Sequence, residues 1–154
     1  MQPTTLCLLI KDDKVLLAMK KRGFGVGKWN GIGGKVKEGE TVKAAAVRET
    51  GEEIKVVVDP ANMEQVGCID FNFKDKSDWN QQMHIFLIKN WNGEPKESEE
   101  MMPKWYSHDE IPFDEMWLDD KYWLPLVLAG KKVEGKFYFI NEGAQIDGFD
   151  IREI

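Results

Sequence analysis

The chain is poor in the residue types from which many active sites are built. Of its 154 residues only two are cysteine and two are histidine. Cys7 and Cys68 lie far apart and in no metal-ligand spacing. That predicts reduced, buried thiols and excludes a disulfide framework. His84 and His108 stand alone, so neither a zinc pair nor a catalytic triad can be assembled around them, and both read as structural. No apolar run nears the roughly 20 residues that cross a bilayer, and the first residues lack the charged-then-apolar order of a signal peptide. A cytoplasmic chain with no membrane partner is therefore expected. Positive charge is in deficit: 21 Lys and Arg stand against 27 Asp and Glu, a net charge of −6. That balance argues against a nucleic-acid polymer as partner and leaves room for a small anion held by local cations or a metal. No repeat and no low-complexity linker marks a boundary. Residues 1–154 are expected to form one domain around one core, consistent with 42% hydrophobic residues.

What is present has a clear order. Thr4–Ile10 and Val15–Lys20 are apolar runs joined by a polar turn, which predicts a hairpin. Six glycines crowd the stretch from Gly23 to Gly34, where the backbone can bend sharply or approach a ligand closely. The glycines form neither a dinucleotide fingerprint nor a P-loop, since no Gly-Lys-Ser/Thr follows. Thr41–Ile54 predicts a helix capped by Thr41 and favoured by Ala44, Ala45 and Ala46. A short strand is expected at Val56–Val58, a strand pair at Glu64–Phe73 and Gln82–Lys89, and further strands at Lys104–His108 and Lys136–Ile140. Lys121–Ala129 predicts a second helix, interrupted or bent at Pro125, and Ile146–Ile151 is ambiguous. This order implies an α/β (α+β) chain with a mixed sheet and helices on its faces.

The first helix carries the strongest chemical signal. Glu49, Glu52 and Glu53 stand at i, i+3 and i+4 and share one face, which Val42, Ala45 and Ala46 continue toward the N-terminus. Ala44, Val47 and Ile54 fall on the other side, which predicts a helix packed between layers. Like charges four residues apart cost about 0.2–0.5 kcal/mol per pair, and carboxylates at a helix C-terminus oppose the dipole by about 0.3–1 kcal/mol each. A divalent cation would offset both, and oxygen ligands favour Mg²⁺ or Mn²⁺ over zinc. Taken alone, three glutamates read better as a solvated acidic face partly neutralised by Arg48 and Lys43.

The spacing around them decides between the two. Gly34, five spacers, Glu40, seven spacers and Arg48-Glu49-Thr50-Gly51-Glu52-Glu53 resemble the Nudix box. Two positions depart from the family pattern: Thr50 replaces a bulky aliphatic residue, and Lys55 replaces a glycine. A left-handed helix-ending conformation costs a residue with a side chain about 1–2 kcal/mol, so the helix end is expected to differ in shape. The resemblance extends beyond the box. Met19–Gly25, Lys28–Gly31, Gly33–Val36, Glu99–Trp105, Ile111–Phe113 and Met116–Asp120 are similar to the MutT-like subfamily that sanitises oxidised purine nucleoside triphosphates in animals.

The resemblance implies a Nudix-type α/β/α sandwich with a mixed central sheet and two helices, in a monomer. It implies Mg²⁺-dependent hydrolysis of an oxidised purine nucleoside triphosphate (8-oxo-dGTP, 2-hydroxy-dATP type) to the monophosphate and pyrophosphate, with Mn²⁺ able to substitute. Glu49, Glu52, Glu53 and the Gly33 carbonyl match the family's metal ligands, and Glu53 or Glu52 activates water. Glu100 matches a further ligand position, although its run Glu97–Glu100 also reads as a solvated loop. Glu40 and Arg48 read as a structural ion pair. For the substrate, Asn30, Asp119, Asp120, Trp117 and Phe24 correspond to the purine pocket. Thr5, Lys20, Gly33, Gly34 and Lys35 correspond to other substrate contacts, with Lys20 reading alternatively as a solvated turn lysine. Asparagine can donate and accept at a purine edge, and a tryptophan face stacks on any base. Adjacent carboxylates share a proton, because one charge raises the other's pKa. Competing readings make Trp117 and Phe24 core aromatics and Asp119-Asp120 a helix cap. The loop Lys74–Gln82 carries Trp79-Asn80-Gln81-Gln82, where animal relatives are apolar and shorter by about one residue, which leaves the pocket wall and base preference open. Alternative substrates are a methylated purine nucleotide or a dinucleotide polyphosphate. The alternative class is a non-catalytic nucleotide-binding module, against which the intact Glu49, Glu52 and Glu53 argue.

Overall fold

In the computed structural model, which describes residues 1–154, the alternating runs become eight strands and two α-helices joined by short 3-10 turns. The strands are β1 (Gln2–Lys11), β2 (Lys14–Lys20), β3 (Trp29–Asn30), β4 (Met63–Phe73), β5 (Gln81–Ile88), β6 (Met101–Ser107), β7 (Val133–Ile140) and β8 (Gln145–Glu153). The helices are α1 (Val42–Ile54) and α2 (Asp120–Leu128). All strands join one mixed sheet in the order β3-β2-β1-β5-β4-β7-β8, with β6 paired to β2. The β1–β5 and β4–β7 pairs are parallel, and the others antiparallel.

Period-two alternation sends side chains to opposite faces and builds two cores. Leu6 and Leu8 of β1 join Ile69, Phe71, Phe73, Met83, Ile85, Phe137 and Phe139 against Trp123, Leu124 and Val127 of α2. Cys7 and Leu9 join Ile32, Phe86 and Ile88 against Ala46 and Ile54 of α1. Each fully buried large side chain contributes about 1.5–3 kcal/mol, so both helices are held chiefly by these apolar faces. No helix is long and apolar enough to cross a membrane.

Several expectations change. The β1–β2 hairpin pairs only at Ile10–Val15 and Lys11–Lys14, because the earlier part of β1 instead meets the glycine segment through bridges Thr4–Lys35 and Cys7–Ile32. Val56–Val58 is not a strand: it makes one bridge, Val57 to Asn92, while Val56 and Val58 plug the lower core. Helix α1 is not packed between layers, since Lys43, Ala44 and Glu52 are exposed. Helix α2 continues unbroken through Pro125. The ambiguous Ile146–Ile151 lies within β8, paired along β7. Cys68 is only half-buried, whereas Cys7 is fully buried, and both are free thiols. The α1 terminus takes the left-handed ending despite lacking glycine: Lys55 itself adopts φ 63°, ψ 33°, and its N–H donates to the Gly51 carbonyl. Thr50 is buried without an unpaired hydroxyl, because it donates back to the Ala46 and Val47 carbonyls at 3.1 and 2.9 Å.

Candidate active site

The glycine segment and α1 build one end of a cleft of about 550 Å³. Residues 32–35 run beside β1, and the Thr5 N–H donates to the Gly34 carbonyl at 2.9 Å. The approach leaves no room for side chains. A Cβ on Gly33 would sit on top of the Thr5 carbonyl oxygen, and one on Gly34 would lie 2.7 Å from Glu49 Oε1. Arg48 braces the segment against the helix. Its guanidinium donates to both carboxylate oxygens of Glu40 (2.7 and 3.0 Å), to Glu49 Oε1 (2.8 Å) and to the Lys35 carbonyl (3.1 Å). The bidentate pairing holds the Glu40 carboxyl well below its usual range. Glu40 and Arg48 are thus the structural ion pair that their spacing suggests.

Glu49 and Glu53 point into the cleft, and Glu53 is almost wholly buried. Burial, with the Glu49 carboxyl alongside, pushes Glu53 up to about 9. Nearby Lys20 and the Gly33 backbone act in the opposite direction. Glu53 Oε2 is buried with no hydrogen-bond partner. An orphaned carboxylate oxygen beside a second carboxylate is what a hard divalent cation satisfies, so the residues present fit one. Glu52 does not share this face. Its side chain is 57% exposed and pairs with Arg48 at 3.3 Å. At about 100° per residue, Glu53 lies about 40° to one side of Glu49 and Glu52 about 60° to the other, and the cleft opens on the Glu53 side. Glu100 lies across the cleft, 3.5 Å from Arg22. No three acidic side chains converge closely enough to form a ligand group by themselves.

At its other end the cleft meets an inner chamber of about 60 Å³, lined by Phe71, Phe73, Phe139, Asn30, Asp119 and Asp120. Phe24 and Trp117 stack at its mouth with centroids 5.1 Å apart and planes 27° apart. Phe24 is 42% exposed and is therefore not a core aromatic. Lys28 Nζ lies 5.4 Å from the Trp117 ring. Asp119 and Asp120 are 4% and 3% exposed. Asp119 stands at the helix start but caps nothing with its side chain. Its Oδ2 accepts from Trp123 Nε1 at 2.8 Å, whereas Asp120 Oδ2 has no partner. Burial pushes Asp119 up to about 6, and burial with the Asp119 charge pushes Asp120 well above its usual range. Two such carboxyls hold a proton between them near neutral pH.

The fold brings Thr5, Lys20, Phe24, Asn30, Gly33, Gly34, Lys35, Glu49, Glu53, Glu100 and Trp117 to one cleft, with Asp119 and Asp120 behind it. Glu52 alone stays outside. Thr4 and Met83, which the motif reading did not place at the site, also line the cleft, as do Lys28 of the segment Lys28–Gly31 and Trp79 and Gln81 of the loop Lys74–Gln82. Alternation along β1 and β5 was the available signal, since it turns Thr4 away from Thr5 and aligns Gln81 with Met83.

The chain is also similar to known proteins. The NUDIX domain model matches residues 1–127. The chain is 49% identical over 135 residues to the oxidized purine nucleoside triphosphate hydrolase of Danio rerio, covering 88% of this chain and 85% of that protein. Against the mouse protein of the same name, identity is 46% over 150 residues, with 97% and 94% covered. A MutT protein from Bacillus halodurans has the same fold, with TM-score 0.84 and 26% identity over 98% of this chain and 97% of that one. Nudix hydrolases generally need a divalent metal. With most of its length matched by the family model and relatives near half identity, this chain belongs to the Nudix family of hydrolases.

Proposed function

We propose that the chain hydrolyses oxidised purine nucleoside triphosphates to the monophosphate and pyrophosphate in the presence of Mg²⁺, removing damaged nucleotides from the pool. One observation carries this reading. A single cleft of about 550 Å³ joins a carboxylate pair at the glycine segment to an aromatic mouth, behind which a smaller chamber carries the buried Asp119–Asp120 pair. The names of the vertebrate relatives support the same substrate class.

Glu49, Glu53, the Gly33 carbonyl and Glu100 would hold the metal, while Glu52 lies outside the cleft, paired with Arg48. Bound there, Mg²⁺ supplies charge neutralisation on the phosphates and activation of water. Lys20, Lys28 and Lys35 bring cations to the cleft for the remaining phosphate charge. Glu53 is better placed than Glu52 to accept the proton of the attacking water, because it faces the cleft and Glu52 faces solvent. Phe24 and Trp117 hold the base by stacking, and Asn30 binds its edge. The Asp119–Asp120 pair can donate or accept, so it suits the altered edges of both 8-oxo-guanine and 2-hydroxy-adenine.

The test is Glu53→Gln assayed with Mg²⁺ on 8-oxo-dGTP, 2-hydroxy-dATP and dGTP. A general base contributes about 10²–10⁴-fold, so hydrolysis should fall at least that far while unfolding stays cooperative. Wild-type turnover by the variant would remove the assignment. A wild-type enzyme that cleaves only other nucleotides, or releases phosphate rather than pyrophosphate, would redirect the substrate reading.

A further inference from the structure

Gln81 stands where the two cavities meet. It opens β5, between β1 and β4, and lines both the main cleft and the inner chamber. Its amide is held at both ends. Oε1 accepts from the Thr4 hydroxyl at 3.2 Å, and Nε2 donates to the Trp79 carbonyl at 3.2 Å. A carbonyl can only accept, so the second bond identifies which end of the amide is nitrogen. Trp79 is itself fixed, its ring edge-on to Phe24 at 5.0 Å and to Phe73 at 5.5 Å. Asn80 closes the same turn by accepting the Phe73 N–H at 2.7 Å. The Gln81 nitrogen carries two hydrogens, and only one has a partner.

The neighbouring amide is arranged alike. Asn30 Oδ1 already accepts the Gly31 N–H at 2.9 Å, which leaves its Nδ2 to donate. Two fixed amides thus offer hydrogens at the mouth of a chamber whose back wall is a carboxyl pair. Donors so placed match an oxygen on the purine rather than an amino group, which would leave hydrogen facing hydrogen.

We propose that Gln81 is a specificity-determining residue whose free amide N–H donates to an exocyclic oxygen of the purine, so that oxo-purines are selected over purines bearing only an amino group. This rests on the hydrolase reading above and deepens it. Thr4 and the Trp79 carbonyl are positioning groups, which hold the amide plane but touch no substrate.

The test is calorimetric binding of 8-oxo-dGMP and dAMP, together with kcat and KM on 8-oxo-dGTP and dATP, for wild type, Gln81→Met and Gln81→Glu. Methionine keeps the volume and removes the amide. Glutamate keeps the shape and the acceptor for Thr4 but, ionised, has no hydrogen to donate, so it carries the test should the methionine variant fold poorly. Loss of one neutral hydrogen bond is expected to weaken 8-oxo-dGMP binding about 3- to 10-fold and to raise KM for 8-oxo-dGTP by a similar factor, with kcat and dAMP binding within twofold of wild type. Thr4→Val, which frees the amide without deleting it, should give a smaller loss in the same direction. Unchanged 8-oxo-dGMP binding in folded Gln81→Met, or equal losses for 8-oxo-dGMP and dAMP, would overturn the assignment of Gln81 alone. A wild-type protein that neither binds nor cleaves any oxo-purine nucleotide would overturn the hydrolase reading, and this one with it.

Discussion

Replacing Asp120 by asparagine interrogates the inner chamber through stability, before any substrate is added. Asp119 and Asp120 are both buried, yet only one side-chain donor, Trp123 Nε1, serves them. Burial raises Asp119 from its ordinary 3.8 to about 6, and Asp120 rises well above the same value. A raised folded pKa means that the folded protein keeps a proton that the unfolded chain has released. Stability from that proton is complete below pH 3.8 and is lost as pH rises through the folded pKa. For Asp119 the loss is spread between 3.8 and about 6, where each fully released proton costs about 1.4 kcal/mol per pH unit. Asp120 carries the decline above that range. Asparagine has nearly the same shape as aspartic acid and no charge at any of these pH values.

Thermal unfolding in a chelator, followed from pH 5 to 9, should therefore separate the two proteins. The wild-type melting temperature should fall steadily above pH 6, and that of Asp120→Asn should fall much less. For a chain of this size each kcal/mol is worth about 2–4 °C, so a difference of one or two kcal/mol is readable. Glu53, pushed up to about 9, adds a slope of the same sign, but both proteins retain it and the difference isolates the Asp119–Asp120 pair. Equal slopes would show that Asp120 is ionised in its chamber and would refute the shared proton. On substrate, Asn30→Ala should abolish turnover of both oxidised purines. If it does while Asp119→Ala and Asp120→Ala turn over normally, the carboxyl pair does not read the base.

Other perturbations follow from the glycine segment and the helix end. Lys55→Gly should stabilise the protein by about 0.5–1 kcal/mol by relieving a left-handed lysine, read as a melting point higher by a few degrees with unchanged hydrolysis. No increase would mean that the helix end carries no strain. Gly34→Ala places a methyl group against the flexible end of Glu49, so the variant should fold and lose activity by about 10²-fold through a displaced carboxylate. Gly33→Ala meets the backbone of β1 instead and should lose cooperative unfolding in circular dichroism; a wild-type melt would contradict the close approach.

Much of the site was legible because its residues are tied together at short range. The box from Gly34 to Glu53 spans one loop and one helix, and the helical repeat by itself places Glu49 beside Glu53. The same repeat does not say which part of its sector of about 100° a cleft uses, and Glu52 falls on the solvent side of it. The capping reading of Asp119 was plausible from position alone, and its failure depends on where Trp123 stands one turn later. Val56–Val58 has the composition of a strand, but strand identity requires a neighbour, and only Asn92 is within reach. The pairing of β1 with β5 joins residues nearly 80 positions apart, which no local pattern encodes. Hence Gln81 could be noticed as an unusual loop residue but not placed.

The pairing of β1 explains how one strand can serve both halves of the site. Its residues alternate between the two faces of the sheet, so consecutive threonines part company. Thr5 turns toward α1, where it meets Gly34 of the segment that carries the carboxylate end of the cleft. Thr4 turns toward α2 and reaches Gln81 beside the purine chamber. The base end and the carboxylate end are thus offset by one residue of a central strand, about 3.3 Å of rise, and held by backbone pairing on both edges. A one-residue slip of β1 against β5 would exchange the two faces and destroy both ends at once. The register is secured by Leu6, Leu8, Cys7 and Leu9, whose burial in opposite cores penalises any slip. Core packing and substrate geometry are therefore set by the same alternation, so mutations at Leu8 or Leu9 should damage the site even though neither residue lines it.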